Sequence, residues 1–196
     1  MTRSDAERVE APALASALAP ARLDVFVVPG GGQVAGRSLG RAFRMWGRGT
    51  IILRPVLRSA NPDLVRFITA HEAAHVARGD TLNATLAVTF ATSLAAASLI
   101  AGLVGGDPAG FWLLLPARVA MVVNKWAGEL ACDRIAARAT GRIPSLEFAN
   151  YLDRVYQSKE MTPVKRLRSL LTHPPASMRR KAIARAYAGT GSLFPV

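Results

Sequence analysis

The sequence predicts an α+β fold, mainly helical, with a small sheet near the amino terminus and a helical hairpin in the middle of the chain. Two short apolar segments between residues 23 and 57 are typical of strands. Apolar residues at helical spacing predict a helix over residues 62–78. A stretch without charged residues, 81–106, predicts a long apolar helix. With 196 residues, the chain is long enough for one domain of this kind.

The charge is strongly positive and unevenly distributed. The formal net charge is +12, and residues 134–196 hold twelve Lys or Arg against three Asp or Glu, whereas residues 81–133 hold two against three. Such an excess indicates contact with nucleic acid or with an anionic membrane surface, or only solvated basic faces. Because the basic parts flank an apolar middle, membrane lipids are the expected partner and no nucleic acid is expected.

The amino-terminal part begins with an arm and continues with a strand. Residues 1–22 are rich in alanine and proline and carry early acidic residues, which argues against a secretory leader and predicts a mobile or loosely helical arm. Residues 23–28 predict a strand that ends at a proline and three glycines.

The turn after this strand suggests a rival interpretation. Gly30, Gly32 and Ala35 match the spacing of a dinucleotide-binding turn. However, Gly36 and Gly40 interrupt the helix that should follow, and no acidic residue stands about twenty positions further on. We therefore interpret the segment as a flexible turn and expect no cofactor-binding residues in it.

A second strand is predicted for residues 49–57, where Pro55 indicates an edge of the sheet. An edge strand can pair with an extended peptide, so the backbone of a substrate could bind here. An ordinary sheet edge without a ligand fits the sequence equally well.

The helix over residues 62–78 has clear signals at both ends. Asn61 is a good N-cap, Pro62 suits the first helical position, and Asp63 favours the positive end of the helix dipole. Gly79 is a plausible stop.

This helix carries the motif His71-Glu72-Ala73-Ala74-His75 on its buried side. Side chains four residues apart lie on one helical face, roughly 6 Å apart, so both imidazoles can bind a single cation. Glu72 stands beside them, out of line for ligation but within reach of a water at that cation, as in zinc hydrolases. Two polar histidines on a helix without any metal are the alternative, and a third ligand is needed.

The apolar middle predicts a transmembrane hairpin over residues 82–124, with Trp112 and Trp126 as interfacial anchors. Because its turn has no basic residue, both ends and the motif are expected on the cytoplasmic side of a multi-pass protein of the cell inner membrane. A soluble helical hairpin in a cytoplasmic protein is the alternative.

Glu129 and Asp133 follow this hairpin and lie four residues apart on one helical face. Glu129 can complete a His-His-Glu zinc site with an open fourth position. Asp133 can accept a hydrogen bond from the distal nitrogen of a ligand histidine, most simply His71. Cys132 lies among alanines and predicts a small buried residue rather than a thiolate ligand.

The carboxy-terminal part predicts a helix around residues 146–157 and a last helix that begins at Pro175. Between them lies Thr172-His173-Pro174-Pro175, and Arg179 falls on the last helix.

Together these segments resemble the gluzincin zinc metallopeptidases of the HtpX and CAAX prenyl protease type. The resemblance rests on the histidine motif with Gly79-Asp80, on Glu129 and Asp133, and on the His173 segment with Arg179. It implies a zincin-type catalytic domain in which His71, His75 and Glu129 bind one Zn²⁺ and Glu72 is the general base. His173 and Arg179 would lie near the cleft, with stabilisation of the oxyanion as a hypothesis for His173.

The resemblance implies a minimal family member, since amino-terminal membrane segments are lacking and residues 33–36 replace an Asn-Ala pair. We expect an arm over residues 1–22, a single metallopeptidase domain over 23–188 and a tail over 189–196. The expected function is zinc-dependent endopeptidase activity on protein or peptide substrates at a membrane surface. A non-catalytic membrane adaptor stabilised by zinc is the alternative, followed by a basic nucleic-acid-binding protein.

Overall fold

The computed structural model describes residues 7–9, 22–27, 39–45, 48–106, 114–158 and 162–187. The strands among these residues are β1 (Glu7–Val9), β2 (Arg22–Val27), β3 (Gly40–Met45) and β4 (Arg48–Leu53). The helices are α1 (Pro62–Arg78), α2 (Asp80–Gly105), α3 (Leu114–Thr140), α4 (Arg142–Gln157), α5 (Pro163–Leu170) and α6 (Ala176–Ala186), and Pro55–Ser59 form a 3₁₀ helix. The α+β, mainly helical fold class is therefore confirmed.

The strands form one mixed sheet in the order β1-β2-β4-β3. β2 pairs with β1 antiparallel and with β4 parallel, and it matches the strand predicted for residues 23–28. β1 differs from the expectation for the arm: Glu7–Val9 are extended and paired rather than mobile or loosely helical. The turn with the rival glycine spacing, residues 28–38, lies outside the described residues.

The edge of the sheet is not where the sequence predicted it. β4 ends at Leu53 and lies inside the sheet, between β2 and β3, so the assignment of residues 49–57 to an edge strand is wrong. Pro55 begins the 3₁₀ helix, beyond the last paired residue, and removes no hydrogen bond from the strand. The edge next to the helices is β3, a strand that the sequence did not predict.

α1 lies at the centre of the structure and confirms the predicted caps. The side chain of Asn61 accepts a hydrogen bond from the backbone N–H of Asp63 at 2.9 Å, and Gly79 ends the helix in the left-handed conformation, with φ of 67°. α1 packs against β3 and β4 on one side and against α3 and α4 on the other. Phe67 of α1 stacks on Phe148 of α4 with ring centroids 4.4 Å apart, which joins the two helices in the core.

α2 and α3 form the predicted helical hairpin, whose turn lies outside the described residues. Within the described segments, no helix has both the length and the apolar character needed to cross a membrane. The transmembrane hairpin predicted for residues 82–124 is therefore not supported. Threonines and serines are interspersed along α2, and α3 carries Arg118 in the part that was assigned to the bilayer.

Candidate metal centre

Three potential ligand atoms converge between α1 and α3. Nε2 of His71 and Nε2 of His75 lie 3.1 Å apart. One oxygen of Glu129, Oε2, lies 3.6 Å from the first nitrogen, and the other, Oε1, lies 3.5 Å from the second. Ligands of a tetrahedral zinc ion at its usual bond lengths are about 3.3 Å from one another. The donor set and its spacing therefore fit one Zn²⁺.

The opposite nitrogens of both rings face carboxylates. Nδ1 of His75 lies 2.8 Å from Oδ2 of Asp80, and the buried Nδ1 of His71 lies 2.9 Å from Oδ1 of Asp133, although the angle there is not that of a regular hydrogen bond. A carboxylate at Nδ1 favours the tautomer that leaves Nε2 with its lone pair. The two Nε2 atoms face each other, so that they share a hydrogen bond when His75 is protonated and can bind a metal ion when that proton leaves.

Glu129 is held as a carboxylate by several neighbours. Burial alone would raise the pKa of Glu129, but contacts with His173, His71 and His75 outweigh it and hold the pKa well below its usual value. Nδ1 of His173 lies 3.2 Å from Oε2 of Glu129, and Nη2 of Arg179 lies 3.9 Å from the same oxygen. The third ligand thus carries its negative charge before any metal binds.

Asp133 forms a buried ion pair beneath this centre. Arg179 donates two hydrogen bonds to its carboxylate, from Nε at 2.7 Å and from Nη2 at 2.6 Å. Burial would raise the pKa of Asp133, but the guanidinium outweighs it and lowers the pKa. The guanidinium also lies over the ring of Phe148, 4.8 Å from its centroid. Asp133 is therefore fixed in position as an anion next to His71.

Glu72 is buried on α1 between the two histidines. Burial raises its pKa, and the neighbouring histidines offset only part of this effect. A carboxyl group with a raised pKa can both accept and donate a proton near neutral pH. Its side chain packs against Gly40, the first residue of β3.

The structure brings together all of the side chains for which the sequence predicted a role in the site, and it adds two for which no role was predicted. His71, Glu72, His75, Glu129, Asp133, His173 and Arg179 all lie in this region. The additional residues are Asp80 and Cys132, whose Sγ lies 3.4 Å from Nδ1 of His75 and 3.5 Å from Oδ2 of Asp80.

Asp80 could have been recognised as part of this site from the sequence. Gly79 ends α1 in the left-handed conformation and α2 begins at once, which returns the Asp80 side chain to His75, five residues earlier. Cys132 is buried, as expected, and burial raises the pKa of its thiol, so it is a neutral neighbour of His75.

The chain was compared with known proteins. The model of the family described as Peptidase family M48 matches residues 14–186, a stretch that includes every residue of the metal centre. The searches of curated proteins and of solved structures gave no match. Since the matched stretch covers most of the 196 residues, the chain belongs to peptidase family M48, a family of metallopeptidases.

Proposed function

We propose that this metallopeptidase is a zinc-dependent endopeptidase that hydrolyses peptide bonds in protein or peptide substrates. The observation that carries the proposal is the convergence of His71, His75 and Glu129 at tetrahedral spacing, with the buried carboxyl group of Glu72 on the same helix. Peptide hydrolysis needs an activated water and a group that moves its proton, and this arrangement can supply both.

The residues divide the chemistry between them. His71, His75 and Glu129 would hold the zinc ion, which when bound supplies Lewis acidity and lowers the pKa of water. Glu72 would accept the proton of the attacking water and deliver it to the leaving amine, a role that its raised pKa supports. His173 touches Glu129 and would keep that carboxylate oriented. Stabilisation of the oxyanion by His173 stays a hypothesis.

The competing function is a non-catalytic adaptor with structural zinc. Structural zinc is usually bound by four protein ligands, whereas catalytic zinc keeps one position open. Cys132 contacts the Nδ1 side of His75, together with Asp80, while Glu129 approaches Nε2 of the same ring. The thiol is therefore poorly placed to be a fourth ligand, and this favours the enzyme.

The test uses two variants and a surface control. Glu72→Gln should retain one zinc per chain and lose at least about 100-fold in kcat on a protein substrate such as casein. Glu129→Ala should lose zinc as measured by elemental analysis. Glu147→Gln removes a carboxylate that pairs with the exposed Arg154 and should behave as wild type. A Glu72→Gln protein that cleaves casein at the wild-type rate would refute the mechanism.

The likeness to the HtpX and CAAX prenyl protease type and the location at a membrane surface remain proposals. Exposed apolar side chains on α2, such as Phe90, Leu103 and Val104, support an apolar partner such as lipid. Co-sedimentation with vesicles of anionic or neutral lipid tests this location, and a protein that stays in the supernatant with both would count against it. Binding to DNA by a protein free of zinc would favour the nucleic-acid alternative.

A further inference from the structure

Gly40 is a glycine for reasons of space rather than of backbone conformation. The glycines with positive φ among the described residues are Gly79, Gly106 and Gly141, so the backbone of Gly40 is one that alanine can adopt. A Cβ atom at Gly40 would lie 2.8 Å from Cγ and 2.9 Å from Oε1 of Glu72. Both distances are shorter than any ordinary contact between carbon and a neighbouring heavy atom. The side chain that excludes any larger residue at position 40 is thus that of Glu72.

β3 is held in place by contacts at both of its ends. Gly40 pairs with Leu53 of β4, and the carbonyl of Leu39 accepts a hydrogen bond from the backbone N–H of Arg54 at 3.0 Å. At the other end of the strand, the guanidinium of Arg44 lies 3.5 Å and 3.4 Å from carbonyls in the last turn of α1. A residue larger than glycine would therefore displace the Glu72 side chain more readily than the strand.

We infer that Gly40 is a positioning residue for the general base: the absence of a Cβ at the start of the edge strand leaves the space in which the side chain of Glu72 lies. This inference rests on the proposed function for the catalytic meaning of that position. The physical link is direct, because the atoms that a Cβ at position 40 would meet are Cγ and Oε1 of the side chain that would move the proton. A displacement of about 1 Å at a catalytic group can cost on the order of 100-fold in rate.

The chain offers a matched control at Gly49 of β4. A Cβ there would lie 2.5 Å from Cγ1 of Val76 and 2.9 Å from Cδ1 of Leu23, so it also overpacks the contact between the sheet and α1. Val76 lies one helical turn beyond Glu72 and has no part in the proposed chemistry. Gly49→Ala should therefore lower stability without changing kcat per zinc-loaded chain.

The experiment compares wild type, Gly40→Ala and Gly49→Ala by crystal structure, zinc content and steady-state kinetics. In Gly40→Ala, ordinary contact distances require the Glu72 side chain to move by roughly 0.6 Å or more. We expect kcat to fall about 10-fold to 100-fold, with KM and zinc content near the wild-type values. Gly49→Ala should show a lower Tm and an unmoved Glu72 carboxylate.

Two results would overturn the inference: a Glu72 carboxylate in its wild-type position in Gly40→Ala, or an unchanged kcat in that variant while wild type is active. A wild type without peptidase activity would refute the proposed function instead. The crystallographic comparison would then still report whether Gly40 sets the position of Glu72.

Discussion

Arg179 and Asp133 form a buried, bidentate ion pair directly beside His71. The two residues are 46 positions apart in the chain, and they join α6 to the helix that carries Glu129. The pair thus links the carboxy-terminal helix to the metal centre.

Removing the positive charge of this pair should be strongly destabilising. Arg179→Met keeps an apolar side chain near Phe148 but leaves Asp133 as an unpaired buried anion, which typically costs about 3–5 kcal/mol. Urea unfolding measures this loss. The adjacent Arg180 pairs with Asp153 in a contact where the side chains are 41% and 35% exposed, so Arg180→Met should cost less than about 1 kcal/mol. If both variants lost the same free energy of unfolding, the structural role of Arg179 would be contradicted.

Asp80 should contribute to zinc affinity without binding the metal. Asp80→Asn removes the charge that orients Nδ1 of His75, and the loss of such a partner typically weakens metal binding about 10-fold to 100-fold. Competition with a chelator measures the affinity, and Asp153→Asn is the control at a partly exposed carboxylate. If Asp80→Asn bound zinc as tightly as wild type, the contact between Asp80 and His75 would have no role in zinc binding.

The stabilisation of the fold by zinc should increase with pH. Burial alone would lower the pKa of His75, but contacts with Asp80, Cys132 and Glu129 raise it to about 12 without metal. A raised pKa means that the proton on His75 stabilises the metal-free fold fully below about pH 6.5, and this contribution is lost as the pH rises toward 12. Zinc needs the neutral imidazole, so its binding displaces that proton.

The increase in Tm on addition of zinc should therefore be larger at about pH 8 than at about pH 6, because affinity rises roughly tenfold per pH unit for each displaced proton. Thermal unfolding with zinc and with chelator at both values measures the difference. An increase in Tm that is the same at both pH values would mean that no proton leaves the site when zinc binds.

Trp126 should stabilise the backbone conformation of the segment before His173. Its Nε1–H donates a hydrogen bond to the carbonyl of Leu170 at 2.8 Å, at the end of α5. Trp126→Phe removes this bond, with an expected cost of about 1 kcal/mol and faster amide exchange over residues 170–173. Tyr156→Phe is the control, because the Tyr156 hydroxyl lies 3.5 Å from Oγ of Ser169, a weak contact with the same helix. Equal exchange rates in the two variants would rule out the role of Trp126.

The parts of the site that the sequence predicted depend on short spacing along single helices. A spacing of four residues separates His71 from His75, and the same spacing separates Glu129 from Asp133. In addition, α1 has capping signals at both ends. Such signals do not depend on the rest of the fold. The structure accordingly places each pair on one helix, with the two helices in contact.

The parts that were missed or wrong depend on pairing between distant segments. β3 has basic residues at two of its six positions and no clear alternation of apolar residues, so only its ladder with β4 identifies it as a strand. The position of β4 inside the sheet likewise follows from its partners and not from Pro55. The partner of Arg179 is set by the packing of α6 on α3, which no local pattern in the sequence reveals.

The location of the candidate ligands on α1 and α3 has a consequence for how the chain unfolds and for its resistance to proteolysis. His75 and Glu129 lie at the two ends of a segment of about fifty residues that contains the whole of α2 and the first half of α3. A metal ion bound by both ends would close this segment into a loop in the folded chain, and its binding free energy would add to the stability of the fold. We expect the hairpin to unfold as one unit with the metal site, so that loss of a bound ion would expose α2 and α3 to proteolysis as well as stop the proposed hydrolysis.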